Sequence, residues 1–230
     1  MRVAVMQPYF YPYLGYFELL AAVDRFVVYG SAQYRKGGWV NRNRIRSPHG
    51  GGGWQYLTVP VEQAALDTPI DAIRVNHRIH WGDRQCRTLG NVFGSAAQQH
   101  PAYLAFTANV AERHERLAPY LRRGLDDCCR LLGIEVDLVD AGDLEVDPRL
   151  RGEDRLLALC EAAGAATYVN LPGGRDLYSA ARFASRGMAL EFVGDLSFTG
   201  ADGTVNDRSI LDVLLGDGLE AARAYLRSRR

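Results

Sequence analysis

The run Met6-Gln7-Pro8-Tyr9-Phe10-Tyr11-Pro12-Tyr13-Leu14-Gly15-Tyr16-Phe17 sets one carboxamide and four tyrosine hydroxyls on a chain braced by two prolines. Pro8 and Pro12 fix their backbone φ near about −65°. Aromatic surface gives a small-molecule site its affinity, and a few polar groups give orientation. Gln7 can donate and accept a hydrogen bond, with Tyr9, Tyr13 and Tyr16 placed around a ligand. The competing reading is a core plug, since rings dominate protein interiors. Core rings need no prolines, and four buried hydroxyls would all require partners.

A second chemistry-bearing stretch is Gln33-Tyr34-Arg35-Lys36-Gly37-Gly38-Trp39-Val40-Asn41-Arg42-Asn43-Arg44-Ile45. Arg42 and Arg44 present guanidinium forks suited to phosphate or carboxylate. Asn41 and Asn43 donate and accept at once, which suits a sugar or an amide. In an extended chain, Asn41, Asn43 and Ile45 share one face and Arg42 and Arg44 the other. One face would then line a pocket and the other meet an anion. The plainer alternative is a solvated basic strand or an RNA-contact patch.

The third is Asn170-Leu171-Pro172-Gly173-Gly174-Arg175-Asp176-Leu177-Tyr178. Gly173 and Gly174 would let backbone N–H groups approach an anion near a helix start. The stretch has neither a Walker pattern nor Gly-x-Gly-x-x-Gly, so an ordinary strand-to-helix turn competes strongly. His77 and His80 stand three apart but lack a third ligand, so no metal site is expected. His49 and His100 can act as bases near neutral pH. Cys86, Cys128, Cys129 and Cys160 form no Cys-x-x-Cys pair and read as structural thiols. No Gly-x-Ser-x-Gly elbow is present.

Lys and Arg total 27, as do Asp and Glu, and this balance argues against a general polyanion binder. Reduced thiols, the lack of a signal-peptide pattern and the lack of a long apolar run lead us to expect a cytoplasmic protein without a membrane span.

These groups need a scaffold. Arg2–Met6 reads as a buried strand, Leu14–Val23 as a helix, and Phe26–Tyr29 as a second strand, a unit that favours a parallel sheet. The Gln7–Tyr13 loop would then sit at the carboxyl end of a strand, where such sheets bind ligands. Further strands are expected at Trp54–Val61, Ile70–Val75, Ile134–Val139, Thr167–Asn170 and Leu190–Val193. Helices are expected at Trp81–Phe93, at Ala102–Leu132 with a bend near Pro119, at Glu153–Ala163, and from Asp176 to Phe183. Ser209–Leu215 and Leu219–Leu226 would close the chain. Gly50–Gly53 reads as a flexible joint. The expected fold is α/β: a Rossmann-like, mostly parallel sheet flanked by helices, as a single domain over 1–230 with a helical insertion near 81–132.

Taken together, the chain resembles the WbqC-like family. The resemblance rests on Gln7 to Phe17, on Gln33-Tyr34 with Gly38 to Ile45, and on Tyr168 with Gly173-Gly174 and Tyr178; Ser209 to Leu214 is a weaker echo. It implies motif residues at Gln7, Tyr9, Tyr13, Gly15, Tyr16, Gln33, Tyr34, Trp39, Asn41, Arg42, Asn43 and Tyr178. It also implies a role beside polysaccharide or natural-product biosynthesis, with glycyl or aminoacyl transfer suggested. Family members often carry two aspartates where Gly30 and Ser31 stand here, so an acid that transfers protons in relatives would be lost here or moved, with Asp24 as one candidate. The opening also resembles nucleotidylyltransferases and pantothenate-synthetase-like ligases, which implies an α/β layout and not ATP use.

The function expected from all this is transfer of a small acyl or aminoacyl group, such as glycyl, from an activated ester or carrier-protein thioester to an amine. Gln7, Tyr9, Tyr13, Gln33 and Asn41 would be catalytic. Tyr16, Tyr34, Trp39, Arg42, Asn43, Arg44, Gly173, Gly174 and Tyr178 would bind substrate. Expected partners are an amine or amino-sugar and an acyl or peptidyl carrier protein bearing phosphopantetheine; nucleic acid, a metal and a cofactor are not expected. The alternative is a non-catalytic small-molecule or carrier-protein binding module.

Overall fold

The computed structural model describes residues 1–48, 53–200 and 203–229. Five parallel strands form one sheet: β1 (Arg2–Met6), β2 (Arg25–Val28), β5 (Asp137–Asp140), β6 (Thr167–Asn170) and β7 (Ala189–Phe192). Their order is β5-β2-β1-β6-β7. β1 is central, and its middle residues Val3, Ala4 and Val5 are apolar and buried, as expected of a strand covered on both faces. A separate antiparallel hairpin joins β3 (Arg42–Arg46) to β4 (Trp54–Thr58).

Alternation along the strands divides the core into two layers. Ala4, Phe26 and Val28 face one side, packed by α1 (Leu14–Ala21), α4 (Leu117–Leu132) and α8 (Leu219–Ser228). Val3, Val5 and Val27 face the other, covered by α5 (Gly152–Ala162) and α6 (Ala180–Ala184). This is a Rossmann-like α/β arrangement, a parallel sheet with helices on both faces. α2 (Trp81–Phe93) and α3 (Pro101–Ala111) precede α4, and α7 (Ile210–Asp212) leads through a π-helical turn, Val213–Gly218, into α8.

Several elements differ from the sequence expectation. Ile70–Val75 is not a sheet strand: Ile70–Ala72 is a 3-10 turn, and Val75 makes only an isolated bridge to Val61. The helix expected over Ala102–Leu132 is two helices. Arg113, with φ 51°, turns the chain between them, and Pro119 falls in the first turn of α4, where a missing N–H leaves no helical bond unmade. Asp176 lies inside a 3-10 segment, Pro172–Leu177, and Ser179 precedes α6 instead. Gly50–Gly52 and His49 lie outside the described residues.

Candidate functional site

From β1 the chain's connections run toward β2 on one side, whereas β6 lies on the other, so the crevice beyond the carboxyl ends of β1 and β6 is the switch point of the sheet. Gln7 follows β1 directly. Strand alternation turns its side chain to the face of Val3 and Val5, and its carboxamide makes no hydrogen bond among the described residues. Across the crevice Asn170 is buried and its carboxamide oxygen accepts the Leu171 N–H at 2.8 Å. Gly174 must be glycine, because a Cβ there would lie 2.4 Å from the Asn170 amide nitrogen; its N–H donates to the Leu171 carbonyl at 2.9 Å. That N–H is therefore engaged within the turn, while Gly173 is exposed. Tyr178 is half-buried and packs edge-on against Tyr168 and Phe183.

The aromatic loop splits into a sealed and an open part. Phe10, Tyr11, Tyr16 and Phe17 are buried, and Tyr16 donates to the Gln7 carbonyl at 2.9 Å. Tyr11 holds a positive φ of 44°, a strained conformation for a non-glycine residue. Its surroundings hold it there. Its carbonyl accepts from the Asn43 amide and the Ser209 hydroxyl, each at 2.8 Å, and its hydroxyl accepts from Asn109 at 3.1 Å. Tyr9 and Tyr13 remain half-buried with no hydrogen-bond partner for their hydroxyls among the described residues. Burial raises the pKa of both above the ordinary tyrosine value, so they stay protonated donors at neutral pH. Gly15 makes room for the Tyr13 ring, since a Cβ would fall 2.5 Å from it.

The loop and the Asn/Arg segment do meet. Phe10 N–H donates to the Trp39 carbonyl at 3.1 Å, and Asn43 reaches both the Phe10 and Tyr11 carbonyls. The meeting is a packed seam. Asn41 is buried, accepting from the Tyr34 hydroxyl at 2.9 Å and donating to the Val59 carbonyl at 2.8 Å. Gln33 is exposed and donates to the Leu66 carbonyl. Of the extended stretch considered over Val40–Ile45, the strand covers Arg42–Arg46 and leaves Val40 and Asn41 before it, with Asn43 and Ile45 inward and Arg42 and Arg44 outward. On the outer face Arg42 sits 4.6 Å from the Tyr56 ring. Arg44 lies between Trp39 and Trp54, at 5.7 and 5.4 Å, and pairs with Asp207 at 2.6 Å.

Three groups at the carboxyl edge carried no sequence signal as site residues. Gly30 follows β2, and a Cβ on it would lie 1.8 Å from a carboxylate oxygen of Asp71. Asp71 thus fills the space a side chain at position 30 would occupy. Its carboxylate has no hydrogen-bond or ion-pair partner among the described residues, and burial, with the charge of Asp140, raises its pKa. Asp24 takes no such place: it stands at the opposite edge of the sheet, where it accepts the Arg2 N–H at 2.7 Å. Ser31 accepts from Arg155 at 3.1 Å, and that guanidinium lies 5.8 Å from the Tyr29 ring. Asp71 and Arg155 are far from Gly30 and Ser31 in sequence, and only the fold brings them together.

Other candidates have structural partners. The His77 ring meets the His114 carbonyl at 2.8 Å, and His100 caps α3 by accepting the Ala102 N–H at 3.1 Å. Among the described residues no three His, Cys, Asp or Glu side chains cluster as a metal site. Burial pushes the thiols of Cys129 and Cys160 up to about 12, and those of Cys86 and Cys128 also rise. A cavity of about 900 Å³ lies elsewhere, among Glu18, Asp24, Glu135, Phe192 and Arg229. We favour the carboxyl edge as the site, because Glu18 and Asp24 in that cavity are already met by Arg229 and Arg2, whereas the Gln7 carboxamide and the Asp71 carboxylate at the edge have no hydrogen-bond or ion-pair partner among the described residues.

The fold is that of a Rossmann-like α/β protein, with Gln7, Asp71 and Arg155 at the carboxyl edge of its parallel sheet. The chain belongs to the WbqC-like protein family, whose model matches residues 7–224. It is similar to the uncharacterised protein Rv1507c of Mycobacterium tuberculosis, 34% identical over 184 residues, 76% of this chain and 74% of that one. No solved structure matches it. No helix among the described residues is long and apolar enough to cross a membrane.

Proposed function

We propose that this protein transfers a small acyl or aminoacyl group, glycyl in particular, from an activated ester or carrier-protein thioester to an amine acceptor such as an amino-sugar. The observation that carries the reading is the set of unengaged polar groups at the end of β1: the Gln7 carboxamide and the hydroxyls of Tyr9 and Tyr13, all half-buried and without partners among the described residues. Neutral donors held on a tied backbone suit a carbonyl oxygen that gains negative charge in the transition state. Asn43 supports the loop through the Phe10 and Tyr11 carbonyls, and Asn41 ties Tyr34 to Val59, so both serve structure rather than meeting substrate.

The amine nitrogen forms the new C–N bond and the C–S or C–O bond breaks. Asp71 receives the amine proton and hands it on to the departing thiolate or alkoxide, which leaves as the thiol or alcohol. Direct transfer fits the cysteines, since burial holds their thiols protonated and inert. The outer Arg42/Arg44 face, stacked on Trp39, Trp54 and Tyr56, would meet the phosphate-bearing arm of a carrier protein.

Single-turnover assays with glycyl thioester and candidate amines test the reading. Gln7→Ala is expected to lower kcat by about 10²-fold or more, the cost of one oxyanion donor, and Arg42→Ala to raise KM with kcat retained. Affinity for the amine without product, in the folded parent protein, would instead identify a binding module for biosynthetic intermediates.

A further inference from the structure

Arg155 stands in the second turn of α5, the helix that leads into β6, and its guanidinium crosses to the end of β2. One nitrogen donates to the Ser31 hydroxyl and another to the Asp147 carbonyl, both at 3.1 Å. The Tyr29 ring lies 5.8 Å away, within cation–π range. A half-buried guanidinium is ordinarily met by a carboxylate. Among the described residues this one has none within ion-pair distance. The nearby acids are occupied: Asp147 binds Arg149 at 2.8 Å, and Glu153 and Asp154 both bind Arg182. The edge group beside it, Ser31, is neutral.

The side chain is therefore aimed by two neutral acceptors and a ring, at a place where parallel sheets receive ligands; the nearby Asp147 carboxylate feels its charge but is bonded to Arg149. Five N–H donors on a planar fork suit an oxyanion. Burial raises the Tyr178 pKa, and the nearby Tyr29 and Glu153 add to the rise, which puts its ring in the same neighbourhood.

We propose that Arg155 holds an anionic group of the ligand, a carboxylate or a phosphate, over the carboxyl ends of β1 and β2. This rests on the carboxyl edge being the ligand site, and not on the transfer chemistry, so it can stand or fall in a binding experiment alone. It adds a requirement to the proposed reaction: one of the two substrates carries an oxyanion close to its reacting atoms, in addition to any phosphate met by the hairpin.

The test is calorimetric titration of the full chain with inorganic phosphate and, separately, with acetate. The parent is expected to bind at least one of them, and the preference between the two assigns the anion to phosphate or carboxylate chemistry. Arg155→Gln should weaken that binding at least about tenfold, the loss of a charge-assisted contact, with an unchanged melting temperature. Arg186→Gln, which removes an exposed pair between the turn after α6 and Glu161 of α5, should leave it unaltered. Ser31→Asp keeps the arginine but gives it a carboxylate partner, and should abolish anion binding in a folded protein. Equal affinity in parent and Arg155→Gln, unaltered binding in Ser31→Asp, or a parent that takes up neither anion at millimolar concentration would each overturn the assignment, whatever the transfer assay reports.

Discussion

At the late clamp, Asp212 has no solvent exposure and its carboxylate meets Arg46, Arg208 and Asn206. At the carboxyl edge, Gln7, Asp71 and Arg155 stand half-buried, and none of the three has an ion-pair partner among the described residues. The clamp segment bonds the aromatic loop through Ser209 and Ile210, and Gln7 of the edge stands at the start of that loop. The clamp joins β3 to the chain's end: Ser209 N–H donates to the Arg44 carbonyl, and Ile210 N–H to the Pro12 carbonyl. It closes its charges against one another and so fixes geometry. The edge leaves its charges open and so can recognise something else. The difference teaches that conspicuous polar residues near a site divide by whether their hydrogen bonds are already made.

That division is broken most forcefully at the clamp. Asp212→Asn leaves Arg46 and Arg208 facing a neutral amide in a water-poor setting. Breaking one side of a buried pair costs about 3–5 kcal/mol, so chemical denaturation of this variant should show a loss of that order. A loss under about 1 kcal/mol would mean that the clamp is as open as the edge.

Acid should act on the clamp as the substitution does. Burial alone would raise the Asp212 pKa, but the hydrogen bonds and charge of Arg46, with the charge of Arg208, outweigh it and hold the value below the ordinary carboxylate range. A folded-state pKa below the unfolded one means the stabilisation is complete above the unfolded value, about 3.9, and drains away as pH falls through the folded value. Stability of the parent and of Asp212→Asn, followed from pH 7 downward, should therefore converge below about pH 4. Curves that stay parallel there would remove Asp212 from the acid response.

How far each cluster could be read from the chain follows from the same contrast. The β1–loop–α1–β2 opening was legible because it is local: an apolar run, a proline-braced loop and helical spacing lie within 29 consecutive residues. The two faces of β3 were legible because strand alternation is strict. The engagement of Asn41 and Asn43 was not, since Val59 and the Phe10 and Tyr11 carbonyls reach them only through the fold. Asp71 was hidden for a different reason. Ile70–Val75 carries a strand-like apolar pattern, yet Asp71 N–H pairs with the Gly30 carbonyl and Ile70 N–H with the Ala32 carbonyl, which wraps the segment around the end of β2 as a turn. Arg155 lies on a helix whose charges read as a solvated face, and two of those charges, Glu153 and Asp154, do serve that ordinary role with Arg182.

The smallest effect on stability is expected at Asp71, and it sharpens the contrast from the other side. Burial and the neighbouring Asp140 raise its pKa, so ionising it is unfavourable in the folded protein. Its folded pKa above the unfolded one makes the charged form a cost that sets in as pH rises past the unfolded value. Asp71→Asn removes that cost, so at neutral pH its melting temperature should equal or exceed the parent's, while transfer activity falls. Gly30→Ala should reproduce the activity loss without touching a polar group, because the added methyl takes the space of the carboxylate and displaces it. Combined, the two changes should cost no more activity than either alone, since both remove one positioned group. Additive losses would show that Gly30 and Asp71 act separately, and a marked fall in melting temperature for Asp71→Asn would place this carboxylate with the closed clamp rather than with the open edge.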